Sequence, residues 1–238
     1  MTGGSLTLKN GSIIFANQKT LLIGLQNYCN LTLENMVIDA SQASAPCQYA
    51  ISNNCGTVQF IGNTSIKAYK NQTAFDSCKF GSYEIPTVKI NTTGTITGDI
   101  ELSGGKLEIS AGTFEGNIRT VSGYAKGDAI ITGGTFSSDV SEYVVEGTEI
   151  TEGPDGTFIV GELDESNSVA ETGGRHYATL QAAIDAAESE GQVVTLNRDT
   201  TENVRVSAGK TLILDLNGHN LTGKADSWAL VVEGDLTI

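Results

Sequence analysis

A short alternating segment recurs through the first half of the chain, and its spacing limits what such a chain can fold into. Ser5-Leu6-Thr7-Leu8-Lys9-Asn10-Gly11-Ser12-Ile13 matches Asn30-Leu31-Thr32-Leu33-Glu34-Asn35-Met36-Val37-Ile38 at an offset of 25. Thr57-Val58-Gln59-Phe60 follows 27 residues later, and Thr87-Val88-Lys89-Ile90 another 30 after that. Lys106-Leu107-Glu108-Ile109 through Phe114 then matches Asp128-Ala129-Ile130-Ile131 through Phe136 at an offset of 22. Alternation at period two puts Leu6 and Leu8, or Leu107 and Ile109, on one face of a strand. A unit this short cannot bury that face alone, so stacked neighbours must cover it. Residues 1–138 therefore read as a parallel β-helix array. Leucine-rich repeats would need a longer Leu/Asn consensus that the chain lacks.

Composition narrows the function classes. With 14 Lys and Arg against 28 Asp and Glu, the net charge is −14, which repels phosphate backbones and argues against nucleic-acid binding. No apolar stretch approaches the roughly 20 residues that span a bilayer, so no membrane insertion is expected. Met1-Thr2-Gly3-Gly4-Ser5 has neither the basic region nor the apolar core of a signal peptide. The charge is unevenly spread: residues 1–130 balance nine acids with nine bases, so the excess lies in 131–238. Ten acids and no Lys or Arg fall in 139–171, and such a run reads as a solvated connector. Those acids are the chain's calcium candidate, but their spacing matches neither an EF-hand loop nor a GGxGxDx repeat, and no cofactor is assigned.

The second half reads as the opening of another array. Ser141–Glu146 and Gly156–Val160 flank Gly153-Pro154-Asp155-Gly156, which suits a β-hairpin closing the first array, with 139–174 as hairpin and linker. A helix is predicted at 179–190, capped by Thr179 and ended by Gly191, with Leu180, Ile184 and Ala187 on one face. Strands resume at Val193–Leu196, Val204–Val206, Thr211–Leu216 and Leu230–Val232, giving a third region over 175–238.

Tyr177-Ala178-Thr179-Leu180-Gln181-Ala182-Ala183-Ile184-Asp185-Ala186-Ala187, followed by Gly209-Lys210-Thr211-Leu212-Ile213-Leu214-Asp215-Leu216-Asn217-Gly218-His219-Asn220-Leu221, resembles the opening of pectin-lyase-like right-handed parallel β-helices in large secreted bacterial surface proteins. Gly133-Gly134-Thr135-Phe136-Ser137-Ser138-Asp139-Val140 resembles the closing coil of the same arrays. The resemblance implies an all-β solenoid whose one short helix plugs the first coil of the second array, at the bacterial cell surface. It does not by itself give an activity. The end, Gly234-Asp235-Leu236-Thr237-Ile238, resembles the start, Gly4-Ser5-Leu6-Thr7-Leu8. The chain thus reads as a piece of a longer protein, or as a protomer that stacks head-to-tail or by swapping through Leu6, Leu8, Leu236 and Ile238.

Motifs for chemistry are sparse. The Asn-x-Asp, Asp-Asp, Gly-His-Gly and Arg-x-Lys set expected of hydrolases on this fold is absent. His176 and His219 are the only histidines, too few for a multi-histidine metal site and poor support for a Ser-His-Asp triad. Gly209-Lys210-Thr211 lacks the first glycine of a phosphate loop, Val204 standing in its place. Arg119 and Lys126 are the bases nearest Asp128, a weak constellation. Cys29, Cys55 and Cys78 are 26 and 23 apart, about one coil each, and Cys47 lies between coils. With no CxxC pair, neither zinc nor redox chemistry is expected. A Cys47–Cys55 disulfide is open if their Cα atoms are close, but the four read as a ladder of free, buried thiols. What remains is binding, with Tyr28, Tyr49, Tyr69 and Tyr83 as stacking platforms for glycans. The sequence points to a non-enzymatic extracellular module acting in assembly, spacing or glycan contact, with a carbohydrate-active enzyme (lyase or hydrolase) as the alternative.

Overall fold

The computed structural model describes residues 4–16, 22–43, 47–121, 128–153, 155–188 and 190–238. Lys126, Pro154 and Ser189, and the first three residues, lie outside them. The protein is all-β, with one α-helix among the described residues. It divides into two compact units, Met1–Val145 with Ile150–Val160, and Glu146–Glu149 with Gly161–Ile238.

In the first unit, the offsets read from the sequence are the registers of parallel strand pairs. Ser5–Ile14 lies on Asn30–Asp39 with Leu6 opposite Leu31 and Leu8 opposite Leu33. Thr57–Gly62 follows with Leu31 opposite Val58, and Thr87–Thr97 with Val58 opposite Val88. Lys106–Glu115 continues with Leu107 opposite Val88, and Ala129–Ile131 with Ala129 opposite Leu107. The same registers stack Leu33, Phe60, Ile90, Ile109 and Ile131, all buried. A further column runs Ile38, Ile66, Ile96, Phe114, Phe136, ending in two rings stacked 4.7 Å apart. Burial of each such side chain is worth about 1.5–3 kcal/mol. The one-residue alternation seen in the sequence is thus a set of apolar columns running from strand to strand.

A second, five-stranded sheet is formed by Ile118–Thr120, Asp99–Ser103, Thr73–Cys78, Tyr49–Asn53 and Ile23–Asn27, in that order and all parallel. Its core-facing row includes polar groups. Asn27 Nδ2 donates to Asn53 Oδ1 at 2.8 Å, and Asn53 Nδ2 to Ser77 Oγ at 3.4 Å. No buried side-chain nitrogen or oxygen among the described residues lacks a partner, as low-dielectric surroundings demand.

The predicted hairpin is displaced. Ser141–Tyr143 is a 3-10 turn, and the strand beside Phe158–Glu162 is Thr148–Glu152. Val140 and Tyr143 are buried, and the Tyr143 hydroxyl donates to the Ile118 carbonyl at 3.3 Å. The apolar residues read as a strand arm therefore fold onto the core. Phe158–Val160 runs antiparallel to Gly134–Phe136.

The second unit has its own core, centred on Leu180, Ile184, Val194, Leu196, Leu212 and Leu214. Gln192–Leu196, Thr211–Asp215 and Asp235–Thr237 pair in parallel, while Ala170–Thr172 pairs antiparallel with Gln192–Leu196 and with Arg175–Tyr177. The segment read as linker thus contributes a strand. The helix spans only Leu180–Ala186, with Thr179 Oγ1 accepting the Ala182 N–H as predicted. It stops short of Gly191 because Ala187 turns extended and the Lys210 ammonium takes the carbonyls of Ile184, Asp185 and Ala187 at 2.6, 2.6 and 3.1 Å.

Candidate functional site

Three aromatic side chains meet on the surface of the first unit. Tyr28 follows the strand Ile23–Asn27, and Phe80 and Tyr83 follow Thr73–Cys78. The Tyr28 and Phe80 ring centroids are 6.0 Å apart, edge to face at 78°. Tyr28 and Tyr83 are 5.7 Å apart, and Phe80 and Tyr83 stack at 6.4 Å and 29°. Phe80 is placed by a tight turn: Tyr83 N donates to Phe80 O at 3.2 Å, and Gly81 takes the positive φ of 56° that such a turn needs. Gln26 Nε2 fixes the Tyr28 hydroxyl at 2.8 Å. Phe80 remains 53% exposed and Tyr28 38%. Aromatic pairs contribute about 0.5–1.5 kcal/mol each, enough to hold the rings together while their outer faces stay in water.

From Gln26, which holds the Tyr28 hydroxyl, a polar row runs across the second sheet. Gln26, Ser52, Asp76 and Glu101 occupy paired positions on successive strands. Asp76 is buried, and its carboxyl accepts from Ser52 Oγ at 3.3 Å and Ser103 Oγ at 3.2 Å. Burial pushes its pKa above the usual carboxylate range against those hydrogen bonds. Burial first, then the Asp76 charge, raises the Cys78 thiol to about 11, which leaves it a poor nucleophile. Burial, with Asp76 and Glu101 nearby, also raises the Tyr49 hydroxyl.

The four tyrosines chosen from the sequence therefore part company. Tyr28 and Tyr83 come together with Phe80. Tyr49 sits by the acidic end of the row, its hydroxyl taken by Gln48 Nε2 at 2.8 Å. Tyr69 packs against the core with the Lys70 ammonium 4.9 Å over its ring. Phe80 escaped the sequence reading because its segment has no strand alternation; the turn signal Gly81-Ser82 was its one trace. Of the edge residues, Leu6 is 47% and Ile238 71% exposed, whereas Leu8 and Leu236 pack against the cores of their own units.

Other constellations are structural. Ser168 Oγ and Glu171 Oε2 lie 3.4 and 3.6 Å from the same His176 nitrogen, Nδ1. A relay needs the two partners on opposite ring nitrogens, and Ser168 is fully buried. A cavity of about 680 Å³ in the second unit is lined by Asp164, Glu165, Ser166, Asn197, Arg198 and Asn217. Its arginine is committed to the carbonyls of Ser166 and Ser168. Arg119 pairs with Asp99. Among the described residues, no group of three or more His, Cys, Asp or Glu is arranged to hold a metal ion. No helix of the described residues is long and apolar enough to cross a membrane.

Neither a protein-family model, nor a curated protein, nor a solved structure matches the chain.

Proposed function

We propose that the chain is a non-enzymatic, extracellular β-solenoid module of a bacterial surface protein, of the right-handed, pectin-lyase-like kind, and that it contacts glycans through Tyr28, Phe80 and Tyr83. Parallel pairing at repeat-length offsets supports the solenoid. The aromatic patch carries the binding reading: rings from segments far apart in sequence are grouped at the surface with Phe80 53% exposed. Sugar rings present an apolar C–H face to such a platform, and Gln26 beside Tyr28 suits their hydroxyls. The test is a glycan array followed by titration calorimetry on the best oligosaccharide, comparing the native chain with Phe80→Ala. Binding weakened at least tenfold in the variant is expected. No glycan binding, or binding indifferent to Phe80, overturns the reading.

A second reading, a carbohydrate-active enzyme, is favoured by one observation: Asp76 and Glu101 sit at paired positions with the Asp76 pKa raised, as a proton donor requires. Release of reducing ends or unsaturated ends from a bound polysaccharide would establish it. Self-association would use a strand edge. Among the described residues, Ser5–Ile14 pairs on one side only and leaves Leu6 and Ile14 exposed, and light scattering across a concentration series tests that contact.

A further inference from the structure

We infer that Cys29 and Cys55 are a redox pair able to staple two neighbouring strand layers of the first unit. Asn27 is paired with Asn53 just before them, and Asn30 Oδ1 accepts the Thr57 N–H just after, at 2.8 Å. The two cysteines therefore turn the same corner on adjacent layers. The second layer holds one extra residue there, Gly56, whose φ of 78° keeps it against the Cys29 carbonyl: a Cβ added to it would lie 2.6 Å from that oxygen. Adjacent strands run about 4.7–4.9 Å apart, inside the Cα window of 4.4–6.8 Å that a disulfide spans. The two thiols also interact electrostatically, and both are free. Cys78, by contrast, falls one position earlier, since Ser77 pairs with Asn53. Its thiol donates to Asn54 Oδ1 at 3.2 Å, as the Cys29 thiol does to Asn27 Oδ1 at 3.2 Å, so the register and not the hydrogen bond sets Cys78 apart. The three thiols spaced about one coil apart in the sequence are thus a pair and an outlier.

The exposures set the order of events. Cys29 is half-buried and Cys55 fully buried, so Cys29 meets the oxidant. With glutathione disulfide, the Cys29 thiolate attacks one sulfur, forming a Cys29–glutathione mixed disulfide and releasing one glutathione thiolate. The Cys55 thiolate then attacks Cys29 Sγ, forming the Cys29–Cys55 bond and expelling the second glutathione thiolate. Two protein thiols lose their protons and are oxidised while one disulfide is reduced to two thiols. The staple would close a loop of 27 residues from Cys29 to Cys55, restricting the unfolded chain, and would fix the corner that carries Tyr28.

The experiment incubates the whole reduced chain with glutathione disulfide, then reads intact mass and a non-reducing peptide map. A loss of two hydrogens with a Cys29–Cys55 linked peptide, and a melting temperature raised by several degrees, is expected. Cys55→Ser should instead trap glutathione on Cys29; if that variant does not fold, Cys29→Ser should abolish both adduct and staple. An unchanged mass, a lasting glutathione adduct on the native chain, a link through Cys47 or Cys78, or a disulfide dimer overturns the inference.

Discussion

The Glu202 carboxylate accepts the Leu180 backbone N–H through both oxygens, at 3.0 and 3.1 Å, and reaches Gln181 N at 3.3 Å. With Lys210 on the carbonyls at the other end, a seven-residue helix is held by opposite charges at its two poles. A helix this short is not stable alone, and each clamp also suits the helix dipole. Removing the Glu202 carboxylate as Glu202→Ala should cost about 1–2 kcal/mol, the range of lost helix caps. Amide hydrogen exchange at Leu180–Ala182 should speed up accordingly. Unchanged protection there would show that packing of Leu180 and Ile184 alone holds the helix.

The sequence made the helix legible through Thr179 and its apolar face, but not its length. Lys210 lies in the stretch that only superficially resembles a phosphate loop, and its role as a C-terminal clamp depends on a contact 25 residues away. The strand registers were readable because the side-chain alternation and the repeat offset encode the same stacking. The aromatic patch was half-readable: Tyr28 and Tyr83 stood out as residue types, but the Phe80 turn that gathers them is set by Gly81 and by the Phe80 N–H on Asn54 O. The strand misplaced at 141–146 shows the limit of local pattern, because Tyr143 is claimed by the core instead.

Gly105 tests how tightly neighbouring layers approach. It has a φ of 95°, and a Cβ there would lie 2.1 Å from the Pro86 carbonyl oxygen. Gly105→Ala must shift backbone as well as adopt a strained conformation, so a loss of about 1–3 kcal/mol is expected. Gly81→Ala, with a φ of 56° but nothing within 4 Å, should lose about 1 kcal/mol from conformation alone. Equal losses in urea unfolding would mean the close approach to Pro86 relaxes freely.

The polar ladder inside the first unit should be costly to interrupt. Asn53→Ala removes the acceptor of Asn27 Nδ2 and the donor to Ser77 Oγ. Asn27 Nδ2 keeps its bond to the Cys29 carbonyl at 2.7 Å, which limits the damage. About 1–3 kcal/mol should be lost, by the penalty for leaving a buried polar group short of partners. A cost near zero by denaturant unfolding would mean that water has entered in place of the amide.

Asp76 gives the chain a stability that falls with pH. Burial raises its folded pKa above the unfolded value, so at pH between the two the native state holds a proton that the unfolded state has released. The contribution is fully present below the unfolded pKa near 3.9, and is lost as pH rises through the folded value. Asp76→Asn keeps the shape, removes the buried charge and can still bond to Ser52 and Ser103. Its melting temperature should therefore exceed that of the native chain at pH 7, and the difference should shrink towards pH 4. A variant less stable at both pH values would show that the carboxylate earns more from its two serines than it loses to burial.

The aromatic patch separates binding from folding. Phe80 is 53% exposed, so Phe80→Ala opens no core cavity, and its cost is limited to the two ring pairs it leaves, about 1–3 kcal/mol. Tyr28→Phe keeps the ring but drops the hydroxyl that Gln26 holds. It should bind a glycan about as well as the native chain if ring stacking dominates. If instead Tyr28→Phe loses as much affinity as Phe80→Ala, about tenfold or 1.4 kcal/mol, the Gln26-anchored hydroxyl is itself a ligand contact. Titration of both variants with one oligosaccharide, beside their thermal melts, distinguishes a stacking platform from a hydrogen-bonding one.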